Sequence, residues 1–169
     1  MTKTAAAEDV AAFEHVYRSA YAGTVRAAIG LCGDRHEAEE VAQQAWTNAY
    51  RRHLRSPLED VVPYVHRAVV NEVRSRARRA AVVRAHARLR RPGVAVADAS
   101  DAVADRLVLA PLLARLPLRM RAAVVLRVVA DLSVAQTATV LDITEGAVKS
   151  ATSRGLARLR ALQEETTDG

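Results

Sequence analysis

The sequence predicts an all-α protein: two small helical domains joined by a flexible acidic linker, the second domain a helix-turn-helix. Three observations lead there. Residues 35–52 keep an apolar 3.6-residue period without a miss. Residues 132–160 read as a helix, a tight turn and a second helix. Residues 91–100, RPGVAVADAS, lose all period among Pro-Gly and small residues. The expected boundaries are 1–90 for the first domain, 91–105 for the linker and 106–169 for the second domain.

The elements follow in order. Val10, Phe13, Tyr17 and Tyr21 share one face of a helix from about Glu8 to Tyr21. A second helix, about Ala22 to Cys32, supplies Val25, Ile29 and Leu31. Gly33-Asp34 breaks the chain, and Asp34 is a good N-cap for a third helix from about Arg35 to Arg52. Ala38, Val41, Ala42, Ala45, Trp46 and Ala49 form its inner face. Glu39, Glu40, Gln43, Gln44, Thr47, Asn48 and Arg51 form the outer one. His53 to Asp60 reads as a loop around Ser56-Pro57. Pro63 suits the first turn of a fourth helix, with Tyr64, Val65, Ala68, Val69 and Val73 inward.

Beyond the linker, a helix from Asp101 to about Leu116 is interrupted near Pro111. Pro117 starts another, whose core face is Met120, Val124, Val125, Val128 and Val129. Ser133 caps a helix to Leu141, Asp142-Ile143-Thr144 turns, and Thr144 caps the last helix. Val148, Ala151, Leu156 and Leu159 face its core. Lys149, Ser150, Ser153, Arg154 and Arg158 face outward and suit phosphates and base edges in a DNA major groove. Glu164 to Gly169 are expected to fray.

Charge distribution says more than the net +6. Residues 67–91 hold nine Arg against one acid, Glu72, more than a helix C-terminus needs for its dipole. Residues 92–105 hold three Asp and no base, and residues 112–162 eight Lys/Arg against three acids. Two basic modules around an acidic spacer point to a polyanion touched twice. No apolar run approaches a membrane span, so a soluble cytoplasmic chain is expected. Cys32 is the single cysteine, which excludes an internal disulfide. The five His form no metal-ligand spacing, and the seven Gly build no phosphate-binding loop. Neither catalysis nor a cofactor or metal is indicated.

Three blocks carry a family resemblance across roughly residues 10–162: GDRHEAEEVAQQAW at 33–46, VPYVHRAVVNEVRSRARR at 62–79, and the stretch 113–160 ending AVKSATSRGLARLR. Together they resemble a bacterial RNA polymerase sigma factor of the extracytoplasmic-function (ECF) class, most closely its short actinobacterial members. The chain departs from that pattern in having Gln44 for Glu, Tyr64 for Trp, Ser75 for Asp, Gln136-Thr137 for Glu-Ile, and Asp142 for Gly.

The resemblance implies a division of labour. Glu39, Glu40, Gln43, Gln44 and Asn48 bind core RNA polymerase, a partner contacted through its beta and beta-prime subunits. Tyr64, Arg67, Asn71, Arg74, Arg76, Arg78 and Arg79 read and melt the minus-ten element of promoter DNA, and the His53–Asp60 loop receives an extruded base. Thr144, Glu145, Gly146, Lys149, Ser150, Ser153, Arg154 and Arg158 read the minus-thirty-five element. The linker threads the polymerase channel. A chain monomeric when free and a candidate anti-sigma partner are also implied. Two other readings remain open on the residues: a stand-alone helix-turn-helix regulator, and a sigma-like antagonist that binds polymerase without reading promoters.

Overall fold

The computed structural model describes the backbone of residues 3–88 and 109–167, with side chains over 9–83 and 109–165. Among the described residues there are helices and no strand. The first is one continuous helix, α1 (Lys3–Cys32), where the sequence suggested two. Tyr21-Ala22-Gly23 does not break it. Thr24 is fully buried, and its hydroxyl donates to the Ala20 carbonyl over 3.1 Å, so the helix carries on inward through Ala27, Ala28 and Leu31. Gly33, at φ 85°, supplies the left-handed residue that ends it.

Helix α2 (Arg35–Arg55) starts where expected: the Asp34 side chain accepts from the Glu37 N–H over 2.7 Å. It runs a turn further than its sequence suggested. His53 is therefore helical and buried, and the loop shrinks to residues 56–60. Ala38, Val41, Ala42, Ala45, Trp46 and Ala49 are all buried, as their spacing requires. Phe13 and Tyr17 of α1 meet the Trp46 ring edge-on, with centroids 5.9 and 5.2 Å away. Tyr17 is nonetheless exposed on its outer side. Helix α3 (Val61–Arg88) lays Val65, Val69, Val70 and Val73 on this layer, with Tyr64 and Ala68 half-buried beside them.

In the second half, α4 (Leu109–Ala114) carries Pro111 as its third residue without interruption. Residues 101–108 and the 91–105 linker lie outside the described residues. Pro117 precedes α5 (Leu118–Val124), which continues as a π-helical turn over Val125–Val129. That turn widens the winding and shifts the inward face. Leu126 is fully buried, while Val128, expected in the core, is exposed. Helix α6 (Val134–Leu141) and helix α7 (Glu145–Thr167) complete the helix-turn-helix. Leu162 extends α7's buried stripe, and the helix runs to Thr167.

One apolar core draws buried residues from both halves of the chain. Leu113 and Val125 press against α1 at Gly30, where an added Cβ would meet Val125 Cγ2 at 3.0 Å and Leu113 Cδ1 at 3.4 Å. Helix α6 lies along the start of α3, and the Gln136 amide donates to Asp60 over 3.3 Å. Apolar surface left on each thin helical layer finds its cover on the other half.

Candidate nucleic-acid interface

Three polar surfaces rise from this core. On α2, Glu40, Gln43, Gln44 and Asn48 are exposed and Glu39 is half-buried. They form a strip held by local bonds: Arg35 to Glu39 over 2.9 Å, and the Gln44 amide to Asn48 over 3.0 Å. The Thr47 hydroxyl donates to the Gln43 carbonyl. The strip is a preorganised acidic and amide face.

On α3 the expected DNA-reading residues separate into two kinds. Arg67, Asn71 and Arg78 are exposed and point outward. Arg76 instead pairs with Glu72 at 3.0 Å, Glu37 at 3.4 Å and Glu40 at 3.5 Å, tying α3 to α2. Arg79 pairs with Glu72 at 2.9 Å. The Arg76 hydrogen bond, joined by that of Arg79 and opposed by burial, holds the Glu72 carboxyl below its usual range. Arg74 is half-buried, and desolvation with nearby Arg119 and Arg78 lowers its pKa from the ordinary arginine value. Asp142, at the turn of the helix-turn-helix, offsets part of that repulsion. Tyr64 rests half-buried on the core.

The third surface is the helix-turn-helix itself. Ser133 accepts from the Gln136 N–H over 3.0 Å, and the Gln136 side chain accepts from the Ser133 N–H over 2.9 Å. This capping box uses the glutamine that departs from the family's Glu, so the departure keeps the cap. Asp142 takes the left-handed conformation at φ 57°, as the turn demands. Thr144 caps α7 by accepting from the Ala147 N–H over 3.2 Å. Thr144, Glu145, Gly146, Lys149, Ser150, Ser153, Arg154 and Arg158 are all exposed on one end and face of α7.

Two cations beside this face escaped the sequence reading. Arg127 and Arg160 line a groove of about 400 Å³ with Lys149, Thr152 and Ser153. Arg160 lies four residues after Leu156, so its helical register was legible. Arg127 was not, because its place depends on the π turn. Its guanidinium donates to the Leu132 carbonyl and braces the entry to α6.

Cys32 is half-buried, and burial pushes its thiol up to about 12, which leaves it a protonated packing group at neutral pH. Among the described residues no group of three His, Cys, Asp or Glu is arranged to hold a metal ion. No helix among them is long and apolar enough to cross a membrane.

The Sigma-70, region 4 family matches residues 106–159. The chain is 34% identical to the ECF RNA polymerase sigma factor SigM of Mycobacterium tuberculosis over 158 residues, spanning 92% of this chain and 79% of that protein. It is 31% identical to the RNA polymerase sigma-E factor of Streptomyces antibioticus, over 95% of this chain and 88% of that one. The corresponding protein of Streptomyces coelicolor is 32% identical over 90% and 86%. Among solved structures, the sigma factor RpoE of Bartonella quintana, in complex with the anti-sigma factor NepR, shares the fold. Its TM-score is 0.73 at 21% identity, covering 90% of this chain and 96% of that one.

Proposed function

Because the chain belongs to the ECF RNA polymerase sigma factors, we propose that it directs core RNA polymerase to promoters through the three surfaces above. Residues 1–90 act as a region-two-like unit, 91–105 as the linker, and 106–169 as a region-four-like unit. The α2 strip from Glu39 to Asn48 docks on the polymerase clamp. The exposed cations of α3, Arg67 and Arg78 foremost, hold the non-template strand at the minus-ten element, with Tyr64 and the 56–60 loop beside the opened bases. The α7 face reads the minus-thirty-five element. Bond-making stays with the polymerase.

The observation that carries this reading is the outer face of α7. Lys149, Ser150, Ser153, Arg154 and Arg158 stand exposed, capped by Thr144 and aimed by a left-handed Asp142. Such a face meets phosphates with its cations and base edges with its hydroxyls. Opening the duplex costs a few kcal/mol, and stacking contributes about 1–3 kcal/mol for each captured base. Strand capture therefore offsets much of the opening. An anti-sigma protein belongs to the same proposal, since a protein covering these faces would silence them together.

Run-off transcription with Streptomyces coelicolor core polymerase on fragmented genomic DNA tests it. Discrete start sites that depend on this chain are expected. Core binding without initiation would leave the antagonist reading in place of this one. Replacing Glu39 and Glu40 by Lys should abolish core binding, and retained binding would move the clamp surface elsewhere.

A further inference from the structure

The 56–60 loop is short, exposed at Pro57, Glu59 and Asp60, and fixed at its middle by one side chain. The Leu58 N–H donates to His53 Nδ1 over 3.1 Å. The start of the loop is closed by the Ser56 N–H on the Arg52 carbonyl, at 3.1 Å, and by Arg52 Nη1 on the Ser56 carbonyl, at 2.7 Å. His53 is 5% exposed and held from the far side by α1. Its ring lies 5.1 Å from the Phe13 ring, and its Nε2 stands 3.3 Å from Asp9 Oδ1, near but out of line for a hydrogen bond. With Nδ1 accepting, the ring proton sits on Nε2, towards Asp9.

From this geometry we infer that His53 is a positioning residue for promoter opening: it transmits the rigidity of α1 and α2 to the 56–60 loop and fixes that loop in the conformation that receives an extruded base. This deepens the function proposed above and rests on it. A five-residue loop with free backbone would have to be ordered at the moment of capture, losing conformational entropy at every residue fixed. A loop already bonded at Leu58 avoids part of that cost, so base selectivity gains from a side chain that touches no DNA.

Two substitutions separate this role from simple packing. In His53→Asn, the amide oxygen takes the place of Nδ1 and can accept from Leu58. In His53→Gln, the amide reaches the place of Nε2 and faces Asp9 instead. Both lose the Phe13 ring contact, so global stability does not distinguish them. The readouts are exchange of the Leu58 amide proton and 2-aminopurine fluorescence beside the extruded base. The second uses the full chain on core polymerase, with a promoter found in the run-off experiment.

His53→Asn should keep Leu58 protected and keep discrimination against wrong bases at the extruded position. His53→Gln should release Leu58 and lose about fivefold in that discrimination, the factor one hydrogen bond commands, with core affinity unchanged. Equal behaviour of the two variants, while the wild-type chain opens promoters normally, would overturn the inference alone. A wild-type chain that opens no promoter would overturn the underlying function and this inference together.

Discussion

The Arg121 guanidinium donates over 2.7 Å to the main-chain carbonyl of Leu31, ninety residues earlier. Its second terminal nitrogen, Nη2, donates to the carbonyls of Ala114 and Leu116 at 2.9 and 3.2 Å. One planar fork thus satisfies the orphan carbonyls at the ends of two helices, α1 and α4, and joins the two halves of the chain. In the same arrangement α6 lies along α3, and Gln136 touches Asp60 of the loop that should meet promoter DNA.

Arg121→Lys should therefore destabilise the chain although charge is kept, because an ammonium does not span three carbonyls. A loss of about 1.5–3 kcal/mol is expected, the range for hydrogen bonds to a charged donor. Urea unfolding would measure it. Unchanged stability would mean that the Arg121 fork adds nothing to the join between the halves.

Arg76 and Arg78 differ by two positions and should differ in kind. Arg76 is committed to Glu37, Glu40 and Glu72, whereas Arg78 is exposed. Arg78→Ala should lower the salt dependence of promoter binding by about 0.7–0.9 in log–log slope, one phosphate contact, and leave core affinity intact. Arg76→Ala should free Glu40 on the α2 strip proposed to meet the clamp and shift core binding, at a stability cost of about 1 kcal/mol or less for such part-exposed pairs. Salt titrations of DNA binding and of core binding, run side by side, decide it. Equal salt slopes for both variants would place both arginines on DNA.

The caps were legible because they are local. Asp34, Ser133 and Thr144 each sit three residues before the N–H they accept from, and that spacing is visible in the sequence. So was the α2 stripe, whose Ala and Trp46 positions keep one period. The joined α1 was not legible, since Gly23 and Thr24 carry weak helix preference and only burial of Thr24 against the rest of the fold overrides it. Val128 was misplaced because a π turn changes the period on which the reading rested. Among site residues, the α7 face followed from spacing alone. The pairing of Arg76 needed α2 and α3 to be side by side, and the clasp by His53 needed α2 to run one turn longer than its sequence suggests. Arg121 belongs to no motif in the sequence; its role depends on α1 being near, which no local pattern encodes.

At Gly155 helix α7 packs tightly against α5. A Cβ there would lie 2.4 Å from Val124 Cγ2 and 3.0 Å from Met120 Cγ. Met120 can move aside, but the buried, β-branched Val124 has few rotamers to offer. Gly155→Ala gains up to about 1 kcal/mol in helix propensity and should lose about 1–3 kcal/mol to overpacking, for a net loss. Gly146, with nothing within 4 Å of its added Cβ, is the control. Gly146→Ala should be neutral or stabilising. Thermal unfolding of the pair settles whether α5 and α7 must touch this closely: equal midpoints would show that Val124 yields.

His66 gives the fold an acid sensitivity with a defined window. It is 2% exposed, its Nδ1 has no hydrogen-bond partner, and burial lowers its pKa from 6.5 to about 4. The folded chain thus keeps His66 neutral where the unfolded chain protonates it. Above pH 6.5 both states are neutral and nothing is lost. As pH falls from 6.5 towards about 4, the unfolded state takes up the proton alone and stability declines. By pH 5 the loss attributable to this one ring is about 2 kcal/mol, at 1.36 kcal/mol per unit of pH inside the window. Glu72, whose carboxyl is held below its usual range, is present in both chains and drops out of the comparison. His66→Leu removes both the titration and the unpartnered nitrogen. Urea midpoints at pH 7 and pH 5 should fall further for the wild-type chain than for His66→Leu. Parallel declines would mean that His66 finds water or a carboxylate when charged, and that the buried face of α3 opens more readily than its packing suggests.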